Sequence, residues 1–199
     1  MELIVISSPA AIVNEAKIIN QLFEAGMSLF HLRKPDWNDH QCLKLLENIN
    51  PSFHEHIALH QHHNLVKKTS IKRLHFTEKL RSAITEAEIS TSKEEGITCS
   101  TSVHQLNDLL LSTIFDYVFF SPVFDSISKP GYESKVAKDF VLEKTAVAPA
   151  VIALGGINEQ NIGRIIEMKF DGAAVLGAIW QQPAQAVASF RRLNDLIKN

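Results

Sequence analysis

The residues of this chain that could do chemistry fall into three groups. Arg33 and Lys34 stand together at the end of an apolar run, and Lys129 lies in a stretch punctuated by Ser, Lys-Pro and Gly-Tyr. A planar guanidinium suits phosphate or pyrophosphate, and a lysine adds a point charge. The other reading is a solvated surface pair, the usual fate of charges. The second group is two glycine turns. Gly155-Gly156 precedes a helical segment opened by Asn158, a good N-cap, and Gly177 follows Leu176 with Ala178-Ile179 behind it. Free backbone N–H groups at such turns cradle phosphate, although glycines also permit tight turns with no ligand. Their joint occurrence late in the chain favours phosphate.

Histidine is the third group. His60-Gln61-His62-His63 follows a short apolar run. Strand alternation puts His60 and His62 on one side, with His31 and His75 on neighbouring strands. Three or four imidazoles could hold zinc; the other reading is hydrogen-bonding histidines that line a polar pocket. No helical HxxxH or HExxH supports metal. His104 suits an acid–base group or a cap for the helix that begins near it. No GxSxG elbow marks a Ser-His-Asp triad.

These residues need elements to position them. Glu2–Ser7, Leu29–Leu32, His56–His60, Ile71–Phe76, Gly96–Ser100, Tyr117–Phe120, Val151–Leu154 and Ala173–Leu176 read as eight short strands. Helical stripes run between them: Ile12 to Phe23, Cys42 to Ile49, a short polar helix through Lys68, Val103 to Ile114, Phe140 to Thr145, Asn158 to Met168 and Ala184 to Lys198. Lys79–Ile89 reads as a short helix or a loop, residues 125–135 as a loop, and Ala178-Ile179 as the start of a short extra helix. Strands alternating with helices predict parallel pairing with right-handed crossovers. Eight units close as a compact (β/α)8 TIM barrel, one domain over residues 1–199, at about 25 residues per unit. An open doubly wound sheet is the runner-up, but no GxGxxG follows the first strand. In a barrel the reactive groups gather at the C-terminal strand ends, where the three groups above fall.

Composition narrows the class. Hydrophobic residues are 45% and charged residues 21%, which predicts a soluble globular domain rather than a disordered chain. Lys and Arg number 20 against 22 Asp and Glu, a net charge of −2, so no basic excess points to nucleic acid or an anionic membrane surface. No apolar run reaches about 18 residues, so no membrane span is expected. Cys42 and Cys99 belong to no metal-spaced motif and read as reduced thiols. With no basic leader at the start, the expected location is the cytoplasm.

Five motifs in order resemble the thiamine-phosphate synthase and thiazole tautomerase superfamily. The family's QLRxK reads His31-Leu32-Arg33-Lys34-Pro35 here, and its SxH reads Ser102-Val103-His104. Its GPxFxTxTK loop reads Ser121-Pro122-Val123-Phe124-Asp125-Ser126-Ile127-Ser128-Lys129. Its AIGGI reads Ala153-Leu154-Gly155-Gly156-Ile157, and its GVAVxSAI reads Ala173-Ala174-Val175-Leu176-Gly177-Ala178-Ile179.

The resemblance implies coupling of a hydroxymethylpyrimidine pyrophosphate to a thiazole phosphate, with release of pyrophosphate. Arg33 and Lys129 would hold the pyrophosphate and Ser102 would donate to it, which makes these three the catalytic candidates. Ser126 and Ser128 stand where threonines bind the thiazole phosphate, and Gly155, Gly156, Leu176 and Gly177 would offer backbone to that phosphate. His31 takes the place of a pyrimidine-contacting Gln, with Lys34, His60 and His104 as further substrate-binding candidates. Small phosphorylated substrates are the implied partners, and a homodimer is suggested. Magnesium is the implied cofactor, but its ligands are not matched: the Asn-Asp after strand three reads His60-Gln61, and the second carboxylate falls near Leu80 with Glu78 close by. The tautomerase histidine falls at Pro122. Tautomerase-like isomerisation and non-catalytic binding of thiamine-related phosphates are the alternatives.

Overall fold

The computed structural model describes residues 1–198 apart from 111, 126–133, 135, 138 and 144–147. Eight parallel strands close into a barrel in sequence order: β1 (Glu2–Ile6), β2 (Leu29–Leu32), β3 (Ile57–Leu59), β4 (Arg73–Phe76), β5 (Thr98–Val103), β6 (Tyr117–Phe120), β7 (Ala150–Leu154) and β8 (Gly172–Val175). β8 pairs with β1 from Glu2 opposite Gly172 to Val5 opposite Val175. The expected TIM barrel is the observed fold.

Strand alternation divides the side chains into two packed sets. Leu3, Val5, Phe30, Leu32, Val118, Phe120, Val151 and Ala153 point outward into the shell beneath the helices. Ile4, Ile6, Leu29, Tyr117, Phe119, Ile152 and Ala174 form a separate cluster that fills the barrel. A parallel barrel buries both faces of each strand, so these strands read as near-continuous apolar runs. The exception is the sector of β2 to β5, where His31, His75 and Ser100 are buried on strands and His60 directly follows β3.

The helices cover the barrel by their apolar stripes. α1 (Glu15–Glu24) buries Ile19, Leu22 and Phe23. α2 (Asp39–Glu47) starts at a capping box between Asn38 and Gln41. Two short 3₁₀ turns, Pro51–His56 and His63–Lys68, flank β3. The stretch read as helix or loop after β4 holds α3 (Glu78–Arg81) and α4 (Glu86–Glu94). α5 (Asn107–Leu110) is one turn, far shorter than the stripe from Val103 to Ile114 predicts, because β5 continues to Val103. α6 (Ile162–Glu167) begins later than expected: Asn158 caps a turn through Gln160 N instead of the helix. The extra helix is present as α7 (Gly177–Trp180), and α8 (Ala186–Lys198) closes the ring with Phe190, Leu193 and Ile197 inward. Residues 140–143, expected to open a helix, are irregular, and 144–145 lie outside the described residues. No helix among the described residues is long and apolar enough to cross a membrane.

Candidate active site

A cavity of about 380 Å³ opens at the C-terminal strand ends. Its lining brings together Arg33, Ser102, His60, His104 and the two glycine turns, Gly155-Gly156 and Leu176-Gly177. Thr77 and Phe119, which the sequence does not single out, join them, as does Glu78, the carboxylate near the second magnesium position. Ser126, Ser128 and Lys129 lie outside the described residues.

Arg33 follows β2, and Ser7 after β1 fixes its backbone. The Ser7 hydroxyl accepts from Arg33 N at 2.8 Å and donates to Arg33 O at 3.0 Å. The Arg33 guanidinium forms no salt bridge among the described residues. A pinned backbone with an uncommitted guanidinium facing a cavity can receive an anion. Ser102 is placed by Arg81, whose Nη1 donates to Ser102 O at 2.9 Å.

Lys34 goes elsewhere. Its ammonium is buried and donates to Glu15 Oε1 and Oε2 at 2.8 and 2.7 Å and to Ala10 O at 2.8 Å. It is not part of the cavity lining. Strand geometry explains this: neighbours on an extended chain point to opposite sides, so Arg33 and Lys34 cannot share one site. Burial pushes the Glu15 carboxyl up and the Lys34 ammonium down, and the contact between them opposes both shifts.

The glycine turns are shaped by a close approach. Gly155 and Gly156 have φ of +102° and +66°. A Cβ at Gly155 would lie 2.8 Å from Pro122 Cα, and one at Gly156 would lie 2.5 Å from Asp125 O. The segment after β6 crosses directly over them, with Val123 N donating to Leu154 O and Phe124 N to Gly155 O. The tight-turn reading of these glycines therefore holds, and the same bare backbone also walls the cavity. Beside it, after the neighbouring strand β8, Gly177 and Ala178 open α7, where helical amides have no partner one turn back.

The polar sector of the barrel forms the cavity floor. His31 is fully buried below it; its Nδ1 is 2.9 Å from His60 Nε2 and its Nε2 is 2.8 Å from the Tyr117 hydroxyl. His75 meets Ser100 Oγ through Nδ1 and Ser102 Oγ through Nε2, each at 3.0 Å. His60 and His75 stack with ring centroids 4.0 Å apart. Burial is the main cause that keeps all three imidazoles neutral, aided by their mutual repulsion and by Arg33, His63 and Arg73; His75 is lowered to about 3. Burial also raises the Tyr117 phenol out of the ordinary range, so it stays protonated.

His62 does not join them. It adopts a left-handed backbone with φ 57°, which breaks the alternation assumed from the sequence, and its Nδ1 pairs with Asp39. The zinc reading thus keeps His31, His60 and His75, whose candidate donors lie within 4.8 Å of one another, and loses His62. His104 is no helix cap. Its Nδ1 donates to Ser121 O at 2.8 Å, which leaves Nε2 as the acceptor in the neutral ring.

Magnesium needs hard oxygen donors. Among the described cavity residues Glu78 is the one carboxylate. Gln61 Oε1 accepts from Lys34 N at 3.1 Å, so its amide is committed to the loop after β2. The described set does not fit a magnesium site built from two carboxylates.

A parallel eight-stranded barrel with an arginine after β2 and glycine turns after β7 and β8 belongs to the (β/α)8 barrels that work at their C-terminal mouths. More narrowly, the chain belongs to the thiamine monophosphate synthase family, whose profile matches residues 3–179. It is 24% identical over 169 residues to a thiamine-phosphate synthase of Clostridium tetani, covering 82% of this chain and 79% of that one. A thiamine-phosphate synthase of Bordetella pertussis is 33% identical over 94 residues, but the match spans 44% of this chain and 43% of that relative. Less than half the length of such relatives is therefore matched. Among solved structures, the thiamine phosphate pyrophosphorylase of Bacteroides thetaiotaomicron superposes with a TM-score of 0.75 at 27% identity, covering 100% of this chain and 98% of the other. The thiamine phosphate pyrophosphorylase of Pyrococcus furiosus, at TM-score 0.75 and 15% identity, supports the fold.

Proposed function

We propose that this protein is a transferase of the thiamine-phosphate synthase type. It would join a hydroxymethylpyrimidine pyrophosphate to a thiazole phosphate and release pyrophosphate. The observation that carries this reading is the cavity that sets Arg33 and Ser102 opposite the Gly155-Gly156 and Leu176-Gly177 turns. One side is cationic and hydroxylic, as a leaving pyrophosphate requires. The other is bare backbone, as a bound phosphate accepts.

In this reaction the bond from the pyrimidine methylene carbon to the pyrophosphate oxygen breaks, and its electron pair leaves with the pyrophosphate. The thiazole nitrogen lone pair then forms the new carbon–nitrogen bond. Most of the catalysis lies in stabilising the departing anion. Arg33 supplies charge there, Ser102 a hydrogen bond, and Lys129 a second cation by its place in the motif. Phe119, fully buried, packs against His31 and His75 and supports the floor beneath the pyrimidine. His31 and Lys34, which are not among the cavity residues, hold up the floor and the β2 end. A homodimer remains part of the proposal.

The single carboxylate in the described lining favours a second reading, a protein that binds thiamine-related phosphates without turnover. Incubation of the purified protein with both substrates, with and without magnesium, separates the two. Thiamine phosphate above background supports the transferase. Thermal stabilisation by thiazole phosphate with no product supports the binder, and neither response removes both.

A further inference from the structure

His31, His60 and His75 meet at the cavity floor, and one ring nitrogen of each lies within 4.8 Å of the others. They come from three adjacent positions in the barrel: β2, the residue after β3, and β4. Hydrogen bonds fix where His75 carries its proton. Ser100 Oγ donates to Leu74 O at 3.3 Å, so its one proton is spent and it accepts from His75 Nδ1–H at 3.0 Å. In the neutral ring His75 Nε2 is then a bare lone pair, met by the Ser102 hydroxyl at 3.0 Å. His31 Nδ1 and His60 Nε2 face each other at 2.9 Å, with room for one proton between them. The other nitrogen of His31 has a partner of its own, the Tyr117 hydroxyl at 2.8 Å.

We propose that these three histidines hold one borderline divalent transition ion of the Zn²⁺ type, with its remaining position open to the cavity. Imidazole suits such ions, whereas magnesium calls for oxygen. Three protein ligands and an open position are the set of a catalytic rather than a structural zinc site. The donors are His31 Nδ1, His60 Nε2 and His75 Nε2, and the ion replaces the proton between His31 and His60. His31 then carries its proton on Nε2 toward the Tyr117 oxygen, His60 on Nδ1, and His75 on Nδ1 toward Ser100. Partners of that kind orient metal-bound imidazoles. Tetrahedral bonds of about 2.0–2.1 Å set ligand nitrogens about 3.4 Å apart. The His31–His60 contact therefore opens slightly, and the stacked His60 and His75 rings splay from their 4.0 Å separation. Three neutral ligands leave the ion its double charge, with Arg33 in the same cavity lining as His60 and His75. The open position thus calls for an anion, and a phosphate oxygen is the class that this cavity suits.

The test reads binding without turnover, so its failure is separate from failure of the transferase reading. The full chain, stripped by chelator, is titrated with Co²⁺ as a spectroscopic probe and then with Zn²⁺. One Co²⁺ per chain is expected, with the visible bands of four-coordinate cobalt, displaced by Zn²⁺ and not by excess Mg²⁺. No thiolate charge-transfer band accompanies them, since Cys42 and Cys99 are outside the set. His75→Asn abolishes uptake. Ser100→Ala and Tyr117→Phe, which keep all three ligands, weaken it about 10–100-fold and keep the test decisive if His75→Asn does not fold. His62→Ala, in the pair with Asp39, leaves uptake unchanged. Inorganic phosphate added to the cobalt form alters its bands. Folded wild type without four-coordinate bands, uptake that survives His75→Asn or is indifferent to both outer variants, or displacement by Mg²⁺ overturns the proposal. Bands that ignore phosphate overturn the open position.

Discussion

The Lys34 ammonium lies between both carboxylate oxygens of Glu15, at 2.7 and 2.8 Å, in a pocket where neither side chain meets solvent. It ties the loop after β2 to α1. Removing one partner of a buried pair leaves an uncompensated charge and costs about 3–5 kcal/mol. Lys34→Ala is therefore expected to lower the urea unfolding midpoint sharply. Pyrophosphate affinity by calorimetry should stay with the folded fraction. A normal midpoint with lost affinity would return Lys34 to the binding site.

Acid sensitivity follows from the neutral floor. His31, His60 and His75 lie below their ordinary value of 6.5, and His75 at about 3. Below that value the unfolded chain takes up protons that the folded chain refuses, so stability rises with pH through the window. It is complete above about pH 6.5 and lost as pH falls toward 3, each histidine contributing up to about 1.4 kcal/mol per pH unit. Unfolding midpoints between about pH 6.5 and 5, above the carboxylate range, measure this directly. A flat profile there would mean the rings are charged in the folded state.

Two glycines should respond in opposite directions. Gly156→Ala drives a Cβ to 2.5 Å from Asp125 O and 2.7 Å from Phe124 O at a φ of +66°. The expected cost is about 1–3 kcal/mol in thermal unfolding, with weaker phosphate binding as the turn moves. Gly163→Ala in α6 meets nothing within 4 Å and should gain up to about 1 kcal/mol. Equal effects would contradict the crossing of the β6 segment over the β7 turn.

How much of this was legible in the sequence depends on which force acts. β2 and β6 match their expected bounds because each is an apolar run with clear stops. Strand-end position points to the glycine turns and Arg33, and the SxH motif to Ser102; all of them line the cavity. His62 was misplaced because alternation assumes an extended backbone, and a left-handed residue ends it. Lys34 was read with Arg33 for the same reason inverted, as adjacency in sequence is opposition on a strand. Tyr117 hid within Tyr-Val-Phe-Phe, a run that reads as core. Period two on β6 puts it beside Phe119 on the inner face, and that was the available signal. Glu15 gave no signal, since a carboxylate in the first turn of a helix is ordinary.

Lys129→Ala tests the motif carry-over. If it clamps the leaving group, turnover should fall by about 10²–10³, the scale of one lost transition-state donor, with an unchanged unfolding midpoint. A near-normal rate would remove Lys129 from the reaction.

The central claim is that the cavity between Arg33 and the two glycine turns couples the two phosphorylated substrates. Its most direct measurement is the time course of thiamine phosphate and pyrophosphate from purified protein, wild type against Arg33→Ala. Equal molar appearance of both products, lost in Arg33→Ala with the fold intact, is the predicted result. Pyrophosphate released without thiamine phosphate, or no product from folded wild type under conditions where a related synthase works, would contradict it.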